Sequence, residues 1–300
     1  MSAPRTFVSG GTGYVGRFIV EELLSAGHEV TVLGRQSPAE GYFSKPVRFL
    51  PLSLEPDAVS PALFEGADFF VHGAFDHVPG KYRGGEGDDP QAFRRRNLDG
   101  SIALFEAAKA ADVRRVAFLS SRAVYGPRPA ETVLYEEDEA KPDTLYGQVK
   151  LEGERALSDL AASGFHGASL RITGVYGPAG KGQRHKWADL FEEYRAGRAI
   201  EPRVATEVHG QDVGSAVRLV LEMQDPPPSV LNVSDILVDR HDLLAIVQRQ
   251  TGSSHPLPAR ADARTVNAMS TQRLRSLGWK PGGMALLEET VEGLLATAQR

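Results

Sequence analysis

Short β-branched runs and longer amphipathic stretches alternate along the first part of the chain. Residues 5–9 form a strand-like run that leads into glycines, and residues 14–26 then place Val15, Phe18, Ile19 and Leu23 at helical spacing before Gly27 closes the helix. A β-branched run follows at 28–33, and similar apolar runs recur at 47–50, 69–72, 115–120 and 168–173. Between the later runs the pattern predicts helices over 97–111 and 146–163. Strands alternating with helices of this length require right-handed crossovers, which predicts a parallel sheet covered on both faces, the doubly wound (Rossmann) α/β class. After Tyr176 the rhythm changes. Residues 177–183 read as a Gly/Pro/Lys loop, 187–196 as a helix, Pro226-Pro227-Pro228 as a turn before a run at 230–233, and the tail from Asp239 as two or three helices. The expected organisation is a dinucleotide-binding domain of residues 1–176 and 204–234, with a smaller, mostly helical C-terminal substrate lobe of 177–203 and 235–300 over the carboxyl edge of the sheet. The polar segment 76–90 is the longest candidate loop, either a lid or a solvated excursion.

Composition narrows the function. The 300 residues are 41% apolar, enough for a full core, and 34 Lys+Arg against 39 Asp+Glu leave a net charge of -5, too small and dispersed an excess to point to nucleic acid. The absence of cysteine excludes disulfides, thiolate catalysis and Cys-ligated metal sites. The start has no long apolar run and no window reaches 18 uninterrupted apolar residues, so the expectation is a soluble, cytoplasmic protein without a membrane partner.

The chemistry concentrates in a few places. Gly10-Gly11-Thr12-Gly13-Tyr14-Val15-Gly16 sets glycines at 10, 13 and 16 between the first strand and the first helix, where bare backbone can approach a pyrophosphate at the positive helix end. The second strand ends Val32-Leu33-Gly34-Arg35, with no carboxylate to repel a 2′-phosphate and a permanently charged fork in Arg35, which favours NADP over NAD unless Arg35 is an ordinary surface residue. Tyr146 and Lys150 stand four apart on one helix face, and Ser121 follows the 115–120 strand. A phenol needs a nearby cation to ionise readily, so Lys150 would promote Tyr146 as acid/base while Ser121 hydrogen-bonds the reacting oxygen. His72, His77 and His209 lack metal-ligand spacing and read as packing residues, so no metal is expected; Trp279 reads as a buried anchor of the terminal lobe.

With these motifs in hand the chain resembles the extended short-chain dehydrogenase/reductases, the NAD(P)-dependent epimerase/dehydratase family. The resemblance runs through Val71-His72-Gly73-Ala74, Asn97-Leu98-Asp99-Gly100-Ser101, Ser120-Ser121-Arg122-Ala123-Val124-Tyr125-Gly126, Leu170-Arg171, Val175-Tyr176-Gly177-Pro178, Val208-His209 before Asp212-Val213, and Leu277-Gly278-Trp279-Lys280-Pro281. It implies that Ser121, Tyr146 and Lys150 are catalytic. It further implies cofactor contacts from Gly10, Thr12, Gly13, Tyr14, Val15, Gly16, Arg35, Ser53, Leu54, Gly73, Ala74, Asn97, Tyr146 and Lys150, and a homodimer paired through helices 97–111 and 146–163.

Two departures bear on the ligands. Leu52-Ser53-Leu54-Glu55 stands where family members often carry an Asp near the adenine, and Gly174 stands where nucleotide-sugar enzymes commonly carry an Asn that contacts the sugar nucleotide. Arg122 follows Ser121 directly, and Lys181, Arg184, His185 and Lys186 cluster after the sixth strand, so Arg122, Gly174, Lys181 and Arg184 are candidate substrate residues, the cations for an anionic group. The leading expectation is an NADP-preferring oxidoreductase acting on a hydroxyl or carbonyl of a small polar substrate such as a sugar or sugar acid. A nucleotide-sugar 4-epimerase or dehydratase with tightly bound NAD, and a non-catalytic NAD(P) sensor on the same fold, are the alternatives.

Overall fold

Among the described residues the alternation of buried runs resolves into ten strands: β1 (Arg5–Ser9), β2 (Glu29–Gly34), β3 (Arg48–Pro51), β4 (Phe69–His72), β5 (Arg115–Ser121), β6 (His166–Ile172), β7 (Gly174–Tyr176), β8 (Val204–His209), β9 (Val230–Val233) and β10 (Ile236–Asp239). The helices are α1 (Tyr14–Ser25), α2 (Pro90–Arg94), α3 (Gly100–Ala110), α4 (Leu145–Asp159), α5 (Ala188–Arg195), α6 (Gly210–Glu222), α7 (Arg240–Thr251), α8 (Gln272–Ser276) and α9 (Gly283–Thr297). This is a computed structural model, and it describes residues 2–77, 85 and 87–297. Seven strands form one sheet in the order β3-β2-β1-β4-β5-β6-β9, with every neighbouring pair parallel. The doubly wound α/β class is therefore present.

Strand pleating explains why both faces are covered, since successive side chains point to opposite sides. Val8, Val32, Val71, Ala117 and Leu119 pack with Ile19 and Leu23 of α1 and Val213, Ala216 and Val217 of α6. Their alternating neighbours Phe7, Leu33, Phe70, Val116 and Phe118 pack with Leu104 and Phe105 of α3 and Leu157 of α4. Fully burying one of the Val, Leu, Ile or Phe side chains contributes about 1.5–3 kcal/mol relative to exposure.

Two parts of the chain differ from the sequence expectation. Helix begins at Pro90, not 97: Asp89 caps α2 by accepting from Gln91 N and Ala92 N, Pro90 occupies the first turn, and a π-helical turn over Arg95–Asp99 runs on into α3. Residues 78–84 and 86, which make up much of the candidate lid, lie outside the described residues. The second difference is a small sheet, β10-β8-β7, that the helical reading of the C-terminal part did not contain. Residues 204–209, grouped by sequence with the dinucleotide domain, belong to this small sheet, whereas β9 joins the large one. A third core joins Tyr176, Trp187, Phe191 and Tyr194 to Leu243, Leu244, Val247, Leu287 and Val291. Trp279 is buried among the α1–α6 core residues, and its indole N–H donates to the Asp212 carbonyl at 2.9 Å. Among the described residues no helix is long and apolar enough to cross a membrane.

Candidate active site

The glycine-rich turn lies between the carboxyl end of β1 and the start of α1. Gly10 has φ +72°, and a Cβ there would lie 2.7 Å from Ala74 N; a Cβ at Gly16 would overlap the Gly10 carbonyl oxygen. The turn is closed by Gly13 N–H donating to the Gly10 carbonyl at 3.0 Å. No side chain caps α1, whose N-cap is Gly13, so its amino end offers backbone donors and a positive dipole without a resident acceptor side chain. This turn fits a dinucleotide pyrophosphate, since it brings bare backbone to the amino end of α1, and a side chain at Gly10 or Gly16 would break it by meeting Ala74 N or the Gly10 carbonyl oxygen. Around it, the Thr12 carbonyl accepts from Tyr42 Oη at 2.9 Å and Gln183 Nε2 at 3.1 Å, and Tyr14 Oη donates to the Gly177 carbonyl at 2.7 Å. Val15 is partly buried against the core.

A relay ties the neighbouring loop to this turn. Ser9 Oγ and Ser101 Oγ hydrogen-bond the two ring nitrogens of His72 at 2.7 and 2.9 Å, and Ala74 N donates to Ser9 Oγ at 3.3 Å. Burial first, and the Lys150 charge second, lower the His72 pKa to about 3, so the ring is neutral and serves as a spacer. Gly73 N donates to the Ser9 carbonyl at 3.1 Å. Asn97, buried, accepts from Asp76 N at 2.6 Å and donates to the Asp76 and Phe93 carbonyls, so its amide holds the β4 loop in place. The Asp76 carboxylate lies between two guanidinium groups: Arg96 Nε donates to it at 2.5 Å, and Arg35 Nη1 stands 3.8 Å away. Arg35 itself is 87% exposed at the end of β2. Ser53 is exposed and accepts from Glu55 N at 3.2 Å, while Leu54 packs against the second core.

Tyr146 and Lys150 enter on α4, which Thr144 caps by accepting from Gly147 N at 3.1 Å, and this fixes Tyr146 in the first turn. Lys150 is only 4% exposed. Its Nζ donates to the Leu119 carbonyl at 2.8 Å and stands 4.4, 4.7 and 6.0 Å from the ring centres of Phe75, Phe118 and Tyr146. Burial lowers the Lys150 pKa to about 7, opposed by the Glu154 carboxylate one turn on. Glu154 is held by Arg171, whose Nη2 donates at 2.7 Å, and by Ser120 Oγ. Ser121 ends β5 and caps the following 3₁₀ turn, its hydroxyl accepting from Ala123 N at 3.2 Å. Tyr146 and Ser121 are both partly exposed, so this arrangement places a phenol and a hydroxyl at the carboxyl end of the sheet above a buried amine.

The candidate substrate residues separate. Arg122 directs Nε and Nη2 to the Asn267 carbonyl, Arg184 pairs with Asp189 and Glu192, and Lys181 is exposed. Lys186 instead turns inward, to the buried carboxylate of Glu207. Sequence reasoning missed Phe75, whose ring meets Tyr146 edge-on at 5.1 Å, as well as Asp76 and Glu207. Glu207 carried a signal: it is an acid inside the short β-branched stretch 204–208. Phe75 carried none, because its role depends on a loop meeting a helix far along the chain.

Residues 6–234 match the model of the NAD dependent epimerase/dehydratase family. A UDP-glucose 4-epimerase from Corynebacterium glutamicum is 26% identical over 309 residues, covering 92% of this chain and 91% of its own. A dTDP-6-deoxy-L-talose 4-dehydrogenase (NAD(P)(+)) from Kitasatospora kifunensis is 32% identical over 184 residues, 59% of this chain and 56% of its own. Among solved structures, MoeE5 in complex with UDP-glucose and NAD superposes with a TM-score of 0.79 at 25% identity, covering 99% of this chain and 100% of that one. The fold is that of a nicotinamide-dinucleotide enzyme. The chain belongs to the NAD dependent epimerase/dehydratase family and is an NAD(P)-dependent oxidoreductase or epimerase/dehydratase.

Proposed function

We propose that the protein is an NADP-preferring oxidoreductase that interconverts a hydroxyl and a carbonyl on a small polyhydroxylated substrate, with Tyr146 as the acid/base. The observation that carries this reading is Lys150, buried beneath the Tyr146 ring with its Nζ fixed on the Leu119 carbonyl. Burial lowers the Lys150 pKa to about 7, so near neutral pH the group is part ammonium, and that ammonium, little screened by water, favours the phenolate of Tyr146 over the phenol. Tyr146 then takes the substrate hydroxyl proton on oxidation and returns it to the carbonyl oxygen on reduction. Ser121 holds that oxygen in line. A nicotinamide dinucleotide, when bound, would supply the hydride acceptor or donor. Gly10, Gly13, Gly16 and the amino end of α1 would hold the pyrophosphate, with Thr12, Tyr14 and Val15 beside it, and Gly73 and Ala74 would border the dinucleotide. Arg35 would hold the 2′-phosphate and Ser53 and Leu54 would flank the adenine. Residues 177–203 and 235–300 would form the substrate side of the cleft.

A second reading, a nucleotide-sugar 4-epimerase with retained NAD, is favoured by the full-length similarity to UDP-glucose 4-epimerases. Turnover separates the two, because an oxidoreductase changes the bulk nicotinamide absorbance and an epimerase leaves it unchanged. Tyr146→Phe serves as the check on either: it should leave dinucleotide binding within about twofold and lower turnover roughly 100-fold or more. Ordinary turnover in that variant would remove Tyr146 from the chemistry.

A further inference from the structure

The space beside Gly174 is filled by charges from two other segments. Gly174 opens β7 two residues beyond Ile172, the register partner of Ser121, and it pairs in register with Glu207 of β8. A Cβ built at Gly174 would overlap Lys186 Nζ and come within 2.5 Å of Glu207 Oε2. A side chain at position 174 would therefore have to displace the Lys186–Glu207 pair, which occupies that volume. The pair is unequal in exposure: the Glu207 side chain is 5% accessible and that of Lys186 30%. Burial raises the Glu207 pKa and lowers that of Lys186, so each group needs the other to remain charged.

We propose that Lys186 and Glu207 together read a vicinal diol on the substrate, the ammonium donating to one hydroxyl oxygen and the carboxylate accepting from the other. This rests on the oxidoreductase reading of the site and adds what it recognises. Three observations favour a diol over a carboxylate. The pair is neutral as a unit, so an acid gains from Lys186 what it loses to Glu207. Two of the other three candidate cations are committed, Arg184 to Asp189 and Glu192 and Arg122 to the Asn267 carbonyl, and the third, Lys181, is exposed. Among the described residues, the only hydrogen bond of the Glu207 carboxylate is the one from Lys186 to Oε2, so Oε1 still has its lone pairs to offer. A donor and an acceptor side by side match two adjacent hydroxyls, each of which both donates and accepts.

Adjacent hydroxyls occur on free sugars and on the sugar of a nucleotide sugar, and calorimetry on the NADP-loaded protein distinguishes these sources. The probes are D-galactose, D-glucuronate, UDP-galactose and UDP. The test variant is Lys186→Met with Glu207→Gln, which removes both charges together and avoids stranding one of them. Gly174→Ala is the second variant, since its Cβ displaces the pair without deleting it. Both should weaken every sugar-bearing probe that the wild type binds by about tenfold or more while leaving NADP affinity within about twofold. UDP affinity should not move. Loss for D-galactose identifies a free sugar as the source, and loss for UDP-galactose alone identifies a nucleotide sugar. Unchanged sugar affinity in both variants, or failure of all three sugar probes to bind the loaded wild type, overturns the diol assignment. Failure of NADP and NAD alike to bind would instead overturn the reading of the dinucleotide site.

Discussion

Lys150 is buried away from the water that would hydrate its ammonium, and the consequences can be measured without a substrate. Its pKa falls from 10.5 to about 7 on folding because burial penalises the ammonium. Between those two values the unfolded chain binds a proton that the folded ligand-free protein does not, so stability should rise with pH across that window. Denaturant midpoints for the wild type and Lys150→Met check this: the rise should flatten in the variant, and an unchanged slope would mean that Lys150 is not desolvated. Lys150→Met should also lower turnover, since Tyr146 loses the charge that favours its phenolate. The sequence made this pair legible because a spacing of four puts both residues on one helix face. It did not reveal Phe75, which meets Tyr146 and Lys150 only after β4 and α4 converge. Arg35 was legible as a charge at the end of β2, but its neighbours Asp76 and Arg96 lie across a tertiary contact. Arg35→Asp should weaken NADP far more than NAD, as read by dinucleotide titration, because a carboxylate would repel the 2′-phosphate. Equal losses for both dinucleotides would remove Arg35 from that site.

At the level of elements, the turn from β1 to α1 is tightly constrained. Gly10→Ala combines a φ of +72° with a Cβ 2.7 Å from Ala74 N, so the β4 loop must shift to admit it. Dinucleotide affinity should fall by about tenfold or more, and stability by roughly 1–3 kcal/mol. Wild-type affinity in Gly10→Ala, measured by titration, would show that the turn does not form the cradle. The β1-α1-β2 rhythm was legible because buried strands and amphipathic helices carry distinct periods. The helical start at Pro90 was not, since the polar segment before it reads as loop and only the Asp89 cap marks the beginning. The small sheet escaped for a different reason. β7 has three residues and β10 four, too short for alternation to declare itself, and β8 holds a buried Glu207 that a strand pattern does not anticipate.

Over the whole molecule, the large sheet brings Gly10 and Ser121 to the same carboxyl edge although they lie far apart in the chain, and Gly174 follows strand β6 by two residues to open the small sheet. The third core joins α5 to α7 and α9, and Trp279 ties the segment after α8 to α6. Order along the sequence thus becomes proximity through the parallel crossovers, which is why the class of chemistry was legible and the substrate contacts were not. The loop cations illustrate the limit: the sequence clusters Lys181, Arg184, His185 and Lys186, and folding separates them, pairing Arg184 with acids at the surface and turning Lys186 inward to Glu207. The most direct test of the account is to follow nicotinamide absorbance with D-galactose, D-glucuronate and UDP-galactose, using NADP and NAD in turn and Tyr146→Phe as the control. The account predicts a bulk absorbance change with at least one of these, faster with NADP, and lost in Tyr146→Phe while dinucleotide affinity is retained. Interconversion of UDP-galactose and UDP-glucose with no change in absorbance would contradict it.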